Sequence, residues 1–157
     1  MYRVGLGHDT HRLVEGNSLH LGGIVIPFHK TLLGHSDADP LLHAICDALL
    51  GAAALGDIGD YFPDTSEENR GRDSAEILAI CIEMVAQEGW SVENLDCYIL
   101  AQEPKLGALK GKMRDRIASI LDVNSSCVCV KAKTGEHVGP VGRGEAITAV
   151  ASVILTK

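Results

Sequence analysis

Residues 37–55 constrain the fold most, because their pattern predicts a helix that must be buried on nearly every side. Asp39, His43 and Asp47 stand four residues apart and form one polar stripe along it. A polar stripe on an apolar helix costs stability unless its groups are satisfied. It therefore predicts either a structural histidine held between two carboxylates or a metal ligand at His43. The apolar residues that require burial are Leu41, Leu42, Ile45, Cys46, Leu49 and Leu50.

Two residues near the amino terminus favour the metal. Asp9 and His11 are two positions apart behind an apolar start, so on a strand their side chains point to the same face. Together with His43 they offer three ligands and leave one position open, as catalytic rather than structural zinc sites do. Asp39 or Asp47 is then expected to orient the imidazole of His43. His8 points the opposite way on the strand and is not expected to be a ligand.

Composition narrows the class of protein. A chain of 157 residues fits one domain over 1–157. Hydrophobic residues make up 46% of it and aromatic residues only 4%, which predicts an aliphatic core. The net charge of −7 argues against nucleic acid, and no apolar run is long enough to span a membrane. No signal peptide is recognisable, and five cysteines without a CxxC pair are expected to be reduced core thiols. We expect a cytoplasmic protein, or a plastid one if a transit segment was removed.

Hydrophobic periodicity and turn residues divide the chain into alternating elements. The mixture lacks strict alternation, which predicts an α+β fold with a small mixed sheet and helices packed on one face. The polar segment 57–73 is too long for a plain connection and is a candidate lid. Strands are predicted at 2–8, at 19–26 as two short pieces, and at 92–102, 128–133 and 146–155, and helices at 37–55, 74–88 and 106–121.

Three further segments are candidates for binding anions. His35 and Ser36 stand where the first helix is expected to begin with a capping box of Ser36 and Asp39, and a helix start attracts anions. The turn 133–136 supplies a cation, a hydroxyl and a carboxylate, which suit a phosphate and a second divalent ion. Arg143, set among glycines, is the third candidate. Gly5-x-Gly7 is not a dinucleotide site, because the third glycine and the following helix are missing.

Five segments, in order from end to end, resemble those of a known family. They are Asp9-x-His11, His35-Ser36-Asp37-Ala38-Asp39 with His43, Asp57-Ile58-Gly59-Asp60-Tyr61-Phe62-Pro63-Asp64, Ala101-Gln102-Glu103-Pro104-Lys105 and Gly142-Arg143-Gly144-Glu145. Their residues and spacings are similar to those of the bacterial and plastid 2-C-methyl-D-erythritol 2,4-cyclodiphosphate synthases.

The resemblance implies an assembly and a set of site residues. It implies a homotrimer whose sheets face the threefold axis and whose active sites lie between subunits. Zinc would be held by Asp9, His11 and His43, and magnesium or manganese by Glu136. His35 and Thr134 would stabilise the transition state. The implied substrate contacts are Asp9, Thr10, His11, His35, Ser36, Asp57, Ile58, Gly59, Phe62, Pro63, Asp64, Thr65, Ser66, Ala101, Gln102, Glu103, Pro104, Lys105, Leu106, Gly107, Lys133, Thr134, Gly135, Glu136, Pro140 and Arg143.

The implied reaction is a cyclising phosphorus–oxygen lyase step of non-mevalonate isoprenoid biosynthesis. The 2-phosphate of 4-diphosphocytidyl-2-C-methyl-D-erythritol 2-phosphate would attack the β-phosphorus and release CMP. A phosphate oxyanion is already a nucleophile, so the protein needs to position charges rather than supply a base. Pro140, where the family often has Phe, and Gly135 beside Thr134 depart from the family pattern. Two alternatives stay open: a zinc phosphohydrolase, and a non-catalytic trimeric module that binds a metal or an isoprenoid.

Overall fold

One five-stranded mixed sheet organises the chain, with strands in the order β4–β1–β7–β5–β6. The computed structural model describes residues Met1–Lys157. Only the pair β5–β6 is parallel, and β2 and β3 form a separate hairpin. The strands are β1 (Tyr2–Glu15), β2 (Ser18–Leu21), β3 (Ile24–Pro27), β4 (Lys30–Leu33), β5 (Ser91–Leu100), β6 (Val128–Lys133) and β7 (Ala146–Thr156). The helices are α1 (Pro40–Ala53), α2 (Ile58–Tyr61), α3 (Ser74–Gln87), α4 (Lys110–Leu121) and α5 (Gly139–Gly142).

Helix α1 lies directly against the two central strands because β1 carries glycine where the helix passes. A Cβ atom at Gly5 would overlap the carbonyl oxygen of Ala48, and one at Gly7 would overlap that of Ala44. The Gly5-x-Gly7 pattern is thus a packing feature. It brings the helix backbone close enough for His43 to reach the strand residues that follow Gly7.

The helices cover one face of the sheet and leave the other open. Along β1 the side chains alternate, so that Leu13 enters the core while Val4 and Leu6 are 71% and 72% exposed. The core is aliphatic, as the composition predicts, with α1, α3, β5 and β7 supplying most of it. The predicted α+β class and mixed sheet are confirmed. None of the helices is long and apolar enough to cross a membrane.

Several element boundaries differ from the sequence prediction. Strand β1 continues to Glu15 rather than ending at residue 8, because it pairs with β7 as far as Arg12 and with β4 beyond. Strand β4 and the short helices α2 and α5 were not predicted. Helix α4 begins at residue 110, after a 3-10 turn at Gly107–Leu109, and not at residue 106. The expectation that all five cysteines are core thiols is wrong for two: Cys129 is exposed and Cys127 is half-buried.

The start of α1 is also corrected. Its N-cap is Asp39, whose side chain accepts the backbone N–H groups of Leu41 and Leu42. The predicted start at residue 37 with Ser36 as cap is therefore wrong. Asp39 is fully buried and additionally accepts the N–H groups of Gly22 and Gly23, at 3.0 and 2.7 Å. One carboxylate thus fastens the β2–β3 hairpin to the beginning of α1.

Candidate active site

Three potential ligands converge at the junction of β1 and α1. Oδ2 of Asp9 lies 2.9 Å from Nε2 of His11 and 3.1 Å from Nδ1 of His43, and these two nitrogens are 3.3 Å apart. All three side chains are half-buried, and no other group of three such residues converges within 4.8 Å. Two imidazole nitrogens and one carboxylate oxygen suit zinc with one position left open. The donor set therefore fits the metal that the sequence predicts.

The charges of this cluster stabilise one another. Burial alone would raise the pKa of Asp9, but hydrogen bonds from His11 and His43 outweigh it and hold that pKa below the ordinary value. Burial would lower the pKa of His11, but Asp9 raises it above the ordinary value. Nδ1 of His11 donates to the carbonyl oxygen of Leu33 at 2.8 Å, because a carbonyl only accepts. Nε2 of His11 is therefore the nitrogen directed at the cluster.

Neither predicted carboxylate orients His43. Asp39 is occupied by the four backbone N–H groups described above, and Asp47 accepts the N–H of Ile58 at 2.9 Å. The group that contacts Nε2 of His43 most closely is the hydroxyl of Ser74, at 2.8 Å. Residue spacing on one helix suggested the carboxylates, whereas the actual partner arrives from the start of α3, which packs beside α1.

His35 and Ser36 lie in the loop before α1 rather than at its amino terminus. The helix-start argument therefore does not apply to these two residues, because Asp39 accepts the first N–H groups of α1. Their predicted contact with an anion stays a prediction. Nε2 of His35 donates to the carbonyl oxygen of Ser66 at 2.8 Å, which ties this loop to the segment predicted as a lid. Ser36 places its hydroxyl 3.2 Å from Nε2 of His43.

A cavity of about 580 Å³ opens beside the three ligands. Part of its wall comes from the segment after α1. Three predicted substrate contacts of that segment do not line it: Asp57, Thr65 and Ser66. Asp57 instead caps α2. Four lining residues were missed, since neither the sequence pattern nor the resemblance placed them in the site: Leu33, Gly34, Asn69 and Ile77. The lining is Asp9, His11, Leu33, Gly34, His35, Ser36, His43, Asp47, Ile58, Gly59, Phe62, Pro63, Asp64, Asn69 and Ile77.

A second cavity of about 290 Å³ lies at the carboxyl ends of the parallel strands β5 and β6. It shares no residue with the first. Gln102 and Glu103 are not in its lining, although they belong to the predicted segment 101–107. Lys110, which lines it, was not predicted, because its position on α4 looks like an ordinary solvated face. The lining is Ala101, Pro104, Lys105, Leu106, Gly107, Lys110, Ala132, Lys133 and Thr134.

The turn after β6 is ordered by its own side chains. Thr134 donates its hydroxyl proton to Oε1 of Glu136 at 2.9 Å. The backbone N–H of His137 donates to the side chain of Gln102 at 3.2 Å, which joins this turn to the 101–107 segment. Lys133 and Thr134, two of the predicted ligands of the turn, therefore line the second cavity, and Glu136 stands beside them with an exposed side chain.

Three predicted contacts lie away from both cavities of this chain. Thr10 points to the open face of the sheet, where its hydroxyl is 2.8 Å from that of Thr148, and its predicted contact with the substrate stays a prediction. The guanidinium of Arg143 pairs with Glu145 at 2.8 Å, and Pro140 stands on α5. Neither lines either of these two cavities, and their predicted roles stay predictions.

A model of the YgbB family matches residues 2–156. The chain belongs to the YgbB family. Similar curated members carry one name: the 2-C-methyl-D-erythritol 2,4-cyclodiphosphate synthase of Neisseria gonorrhoeae is 52% identical over 155 residues, which cover 99% of this chain and 97% of that protein. The synthase of the same name from Geobacillus kaustophilus is 52% identical over 157 residues, covering 100% and 99%. The resemblance stated from sequence is confirmed.

Solved structures of YgbB-family proteins share the fold. The bifunctional IspDF of Campylobacter jejuni aligns with a TM-score of 0.95 at 39% identity, covering 99% of this chain and 42% of that larger protein. A 2C-methyl-D-erythritol-2,4-cyclodiphosphate synthase described as the CDP-bound form aligns with a TM-score of 0.90 at 34% identity, covering 98% and 100%.

Proposed function

We propose that this protein converts 4-diphosphocytidyl-2-C-methyl-D-erythritol 2-phosphate into 2-C-methyl-D-erythritol 2,4-cyclodiphosphate and CMP. The observation that carries the proposal is the convergence of Asp9, His11 and His43 in the lining of one cavity, in a chain that matches the YgbB family over residues 2–156. A relative whose structure is described as CDP-bound supports a substrate that contains cytidine diphosphate. The step belongs to the non-mevalonate pathway and is a metal-dependent lyase reaction.

Asp9, His11 and His43 would hold zinc. The donor set supports this choice, since two imidazoles and one carboxylate are typical of catalytic zinc and leave a position for a substrate oxygen. When bound there, zinc supplies Lewis-acid stabilisation of negative charge on the phosphoryl group under attack. Asp9 raises the pKa of His11 and His11 lowers that of Asp9, so the site favours a positive charge beside this carboxylate, and zinc would supply that charge.

The two cavities support a site built from two subunits. The larger cavity contains the metal ligands, whereas the smaller one, on the same chain, is lined by residues of the segment 101–107, which we propose to receive the cytosine, and no residue lines both. We propose that a homotrimer joins the larger cavity of one subunit to the smaller cavity of its neighbour. The exposed apolar side chains of β1 support assembly through the open face of the sheet.

The chain's own residues would bind and align the substrate. Lys133 supplies a cation and Thr134 a hydroxyl to the diphosphate, and Glu136 carries a carboxylate for magnesium or manganese. His35, whose Nε2 is fixed by its bond to Ser66, would contact the phosphate near the larger cavity through Nδ1, which donates when the imidazole is protonated. In-line alignment of the attacking oxygen and the leaving CMP needs no base of tuned pKa, and such alignment is worth roughly 7–11 kcal/mol in favourable systems.

The remaining segments would complete the enclosure. Ile58, Gly59, Phe62, Pro63 and Asp64, which line the larger cavity, would cover the methylerythritol moiety. Free cysteines without a disulfide are consistent with the cytoplasmic location that we propose.

The test is a turnover assay with the purified protein and the cytidylyl substrate, followed by phosphorus NMR and detection of CMP. We expect CMP and a cyclic diphosphate in equal amounts. CMP with an open-chain phosphate product would favour a zinc phosphohydrolase, and no CMP at all would favour a non-catalytic binding module.

His43→Ala provides the matched variant. We expect it to lose bound zinc and CMP release while keeping the wild-type oligomeric state and circular dichroism, because one of three ligands is removed from an otherwise packed helix. Undiminished turnover by zinc-free His43→Ala protein would contradict the proposed role of the metal.

A further inference from the structure

A polar pair, the buried Ser74 and the half-buried Asp37, lies behind His43, on the side away from the potential metal. Ser74, the first residue of α3, is completely buried, and its hydroxyl contacts two groups only: Nε2 of His43 at 2.8 Å and Oδ1 of Asp37. The other oxygen of Asp37 accepts the backbone N–H of Ser74 at 3.1 Å. The carboxylate of Asp37 therefore accepts hydrogen bonds from both the hydroxyl and the backbone N–H of Ser74.

The direction of each hydrogen bond follows from what its groups can donate. A carboxylate only accepts, so the single hydroxyl proton of Ser74 goes to Asp37. The oxygen of Ser74 is then left with lone pairs toward His43, and Nε2 of His43 must carry the proton that joins them. Nδ1, which donates to Asp9 in the absence of a metal, is thereby the nitrogen that would give up its proton and offer a lone pair when a cation binds.

From this geometry we infer that Asp37 and Ser74 form a relay that fixes the tautomer and ring orientation of His43. They are positioning residues: neither contacts the open position of the cluster. The inference rests on the proposed metal-binding role of Asp9, His11 and His43. With this relay, both imidazoles of the site have the nitrogen that faces away from the cluster held by a hydrogen-bond partner. The carbonyl of Leu33 holds the far nitrogen of His11, and the serine–aspartate pair holds that of His43.

Removing either member should weaken the metal site without removing a ligand. In Ser74→Ala the far nitrogen of His43 keeps only Ser36, at 3.2 Å, and Ser36 can donate its own proton there, which favours the wrong tautomer. In Asp37→Ala the hydroxyl of Ser74 is free to donate to His43 with the same effect. Loss of a group that orients a metal-bound histidine typically lowers metal affinity about 10–100-fold.

Asp73→Ala is the matched control. Asp73 is the N-cap of α3 and accepts the N–H of Ala75 at 2.8 Å, but it does not contact His43. Its loss destabilises the same helix end as the loss of Ser74. A lower melting temperature with unchanged zinc affinity is therefore expected for Asp73→Ala, which separates a weakened helix from a disturbed histidine.

The experiment measures zinc affinity of the full-length protein by competition with a chromophoric chelator. We expect Ser74→Ala and Asp37→Ala each to bind zinc about 10–100-fold more weakly than wild type, and the double variant to be no weaker than the worse single one, because the two act as a unit. In the zinc-loaded wild type and in Asp73→Ala, proton NMR should show a slowly exchanging Nε2–H of His43, and Ser74→Ala should lack it.

The outcomes separate the two proposals. Wild-type zinc affinity in Ser74→Ala, or fully additive losses in the double variant, would overturn the relay and leave the metal site intact. Failure of the wild-type protein itself to bind zinc would overturn the metal-binding role on which the relay depends.

Discussion

At the scale of single residues, the pair formed by Asp9 and His11 sets how the site responds to pH. Asp9 holds a proton on His11 to a higher pH than an ordinary histidine, and the pKa of Asp9 is lowered in return. In the metal-free protein, the raised pKa of His11 contributes stability that is complete below the ordinary histidine pKa of 6.5 and is lost as the pH rises through the raised value. A metal must displace that proton. We therefore expect zinc to raise the melting temperature more at about pH 8 than at about pH 6.

The measurement is thermal unfolding with zinc or with a chelator at both pH values. His43→Ala serves as the reference, because its incomplete site should give a small zinc effect at either pH. A zinc effect in the wild type that is larger at the lower pH would contradict competition between zinc and the His11 proton.

At the scale of elements, the close approach of α1 to β1 decides whether the ligands meet. Gly7→Ala should destabilise the protein by about 1–3 kcal/mol or more, because the added methyl meets the backbone carbonyl of Ala44, which cannot rotate away. Gly51→Ala is the matched substitution on the same helix. Nothing lies within 4 Å of a Cβ atom there, so it should stabilise the helix by roughly 0.5–1 kcal/mol.

Urea unfolding followed by circular dichroism measures both free energies. The opposite signs of the two Gly→Ala effects are the critical result. Equal or stabilising effects at both positions would mean that the helix can move away from the strand, and the contact would then not hold His43 in place.

At the scale of the whole molecule, the open face of the sheet is the surface that we expect to assemble. Val4 on this face is 71% exposed, and Val25 on the β2–β3 hairpin, outside the five-stranded sheet, is 60% exposed. Val4→Asp should give monomers without CMP release, because a charge would be buried between sheets and the two cavities would no longer meet. Val25→Asp should keep the trimer and its activity.

Multi-angle light scattering after gel filtration gives the mass of each variant, and circular dichroism checks that both are folded. An active trimer of Val4→Asp would contradict assembly through this face. A monomeric but fully active wild type would contradict the need for a neighbouring subunit.

The sequence by itself determined most of the longer elements and pointed to the three ligands. Strand alternation puts Asp9 and His11 on one face, and a helix with so many apolar residues has to lie on the sheet, which brings His43 to that face. Local periodicity likewise predicted α3 and β6 almost to the residue. These features depend on neighbours a few positions apart along the chain, which is why the sequence alone specifies them.

Only the tertiary structure decided which groups surround the ligands. Asp39 was expected to orient His43, yet it fastens the β2–β3 hairpin, and Ser74 takes the place beside His43. Asp37 and Ser74 are far apart in the chain and meet because α3 packs beside the loop before α1. Hydrogen-bond partners of this kind depend on how elements pack side by side in space, and the spacing of residues along the chain does not specify that packing.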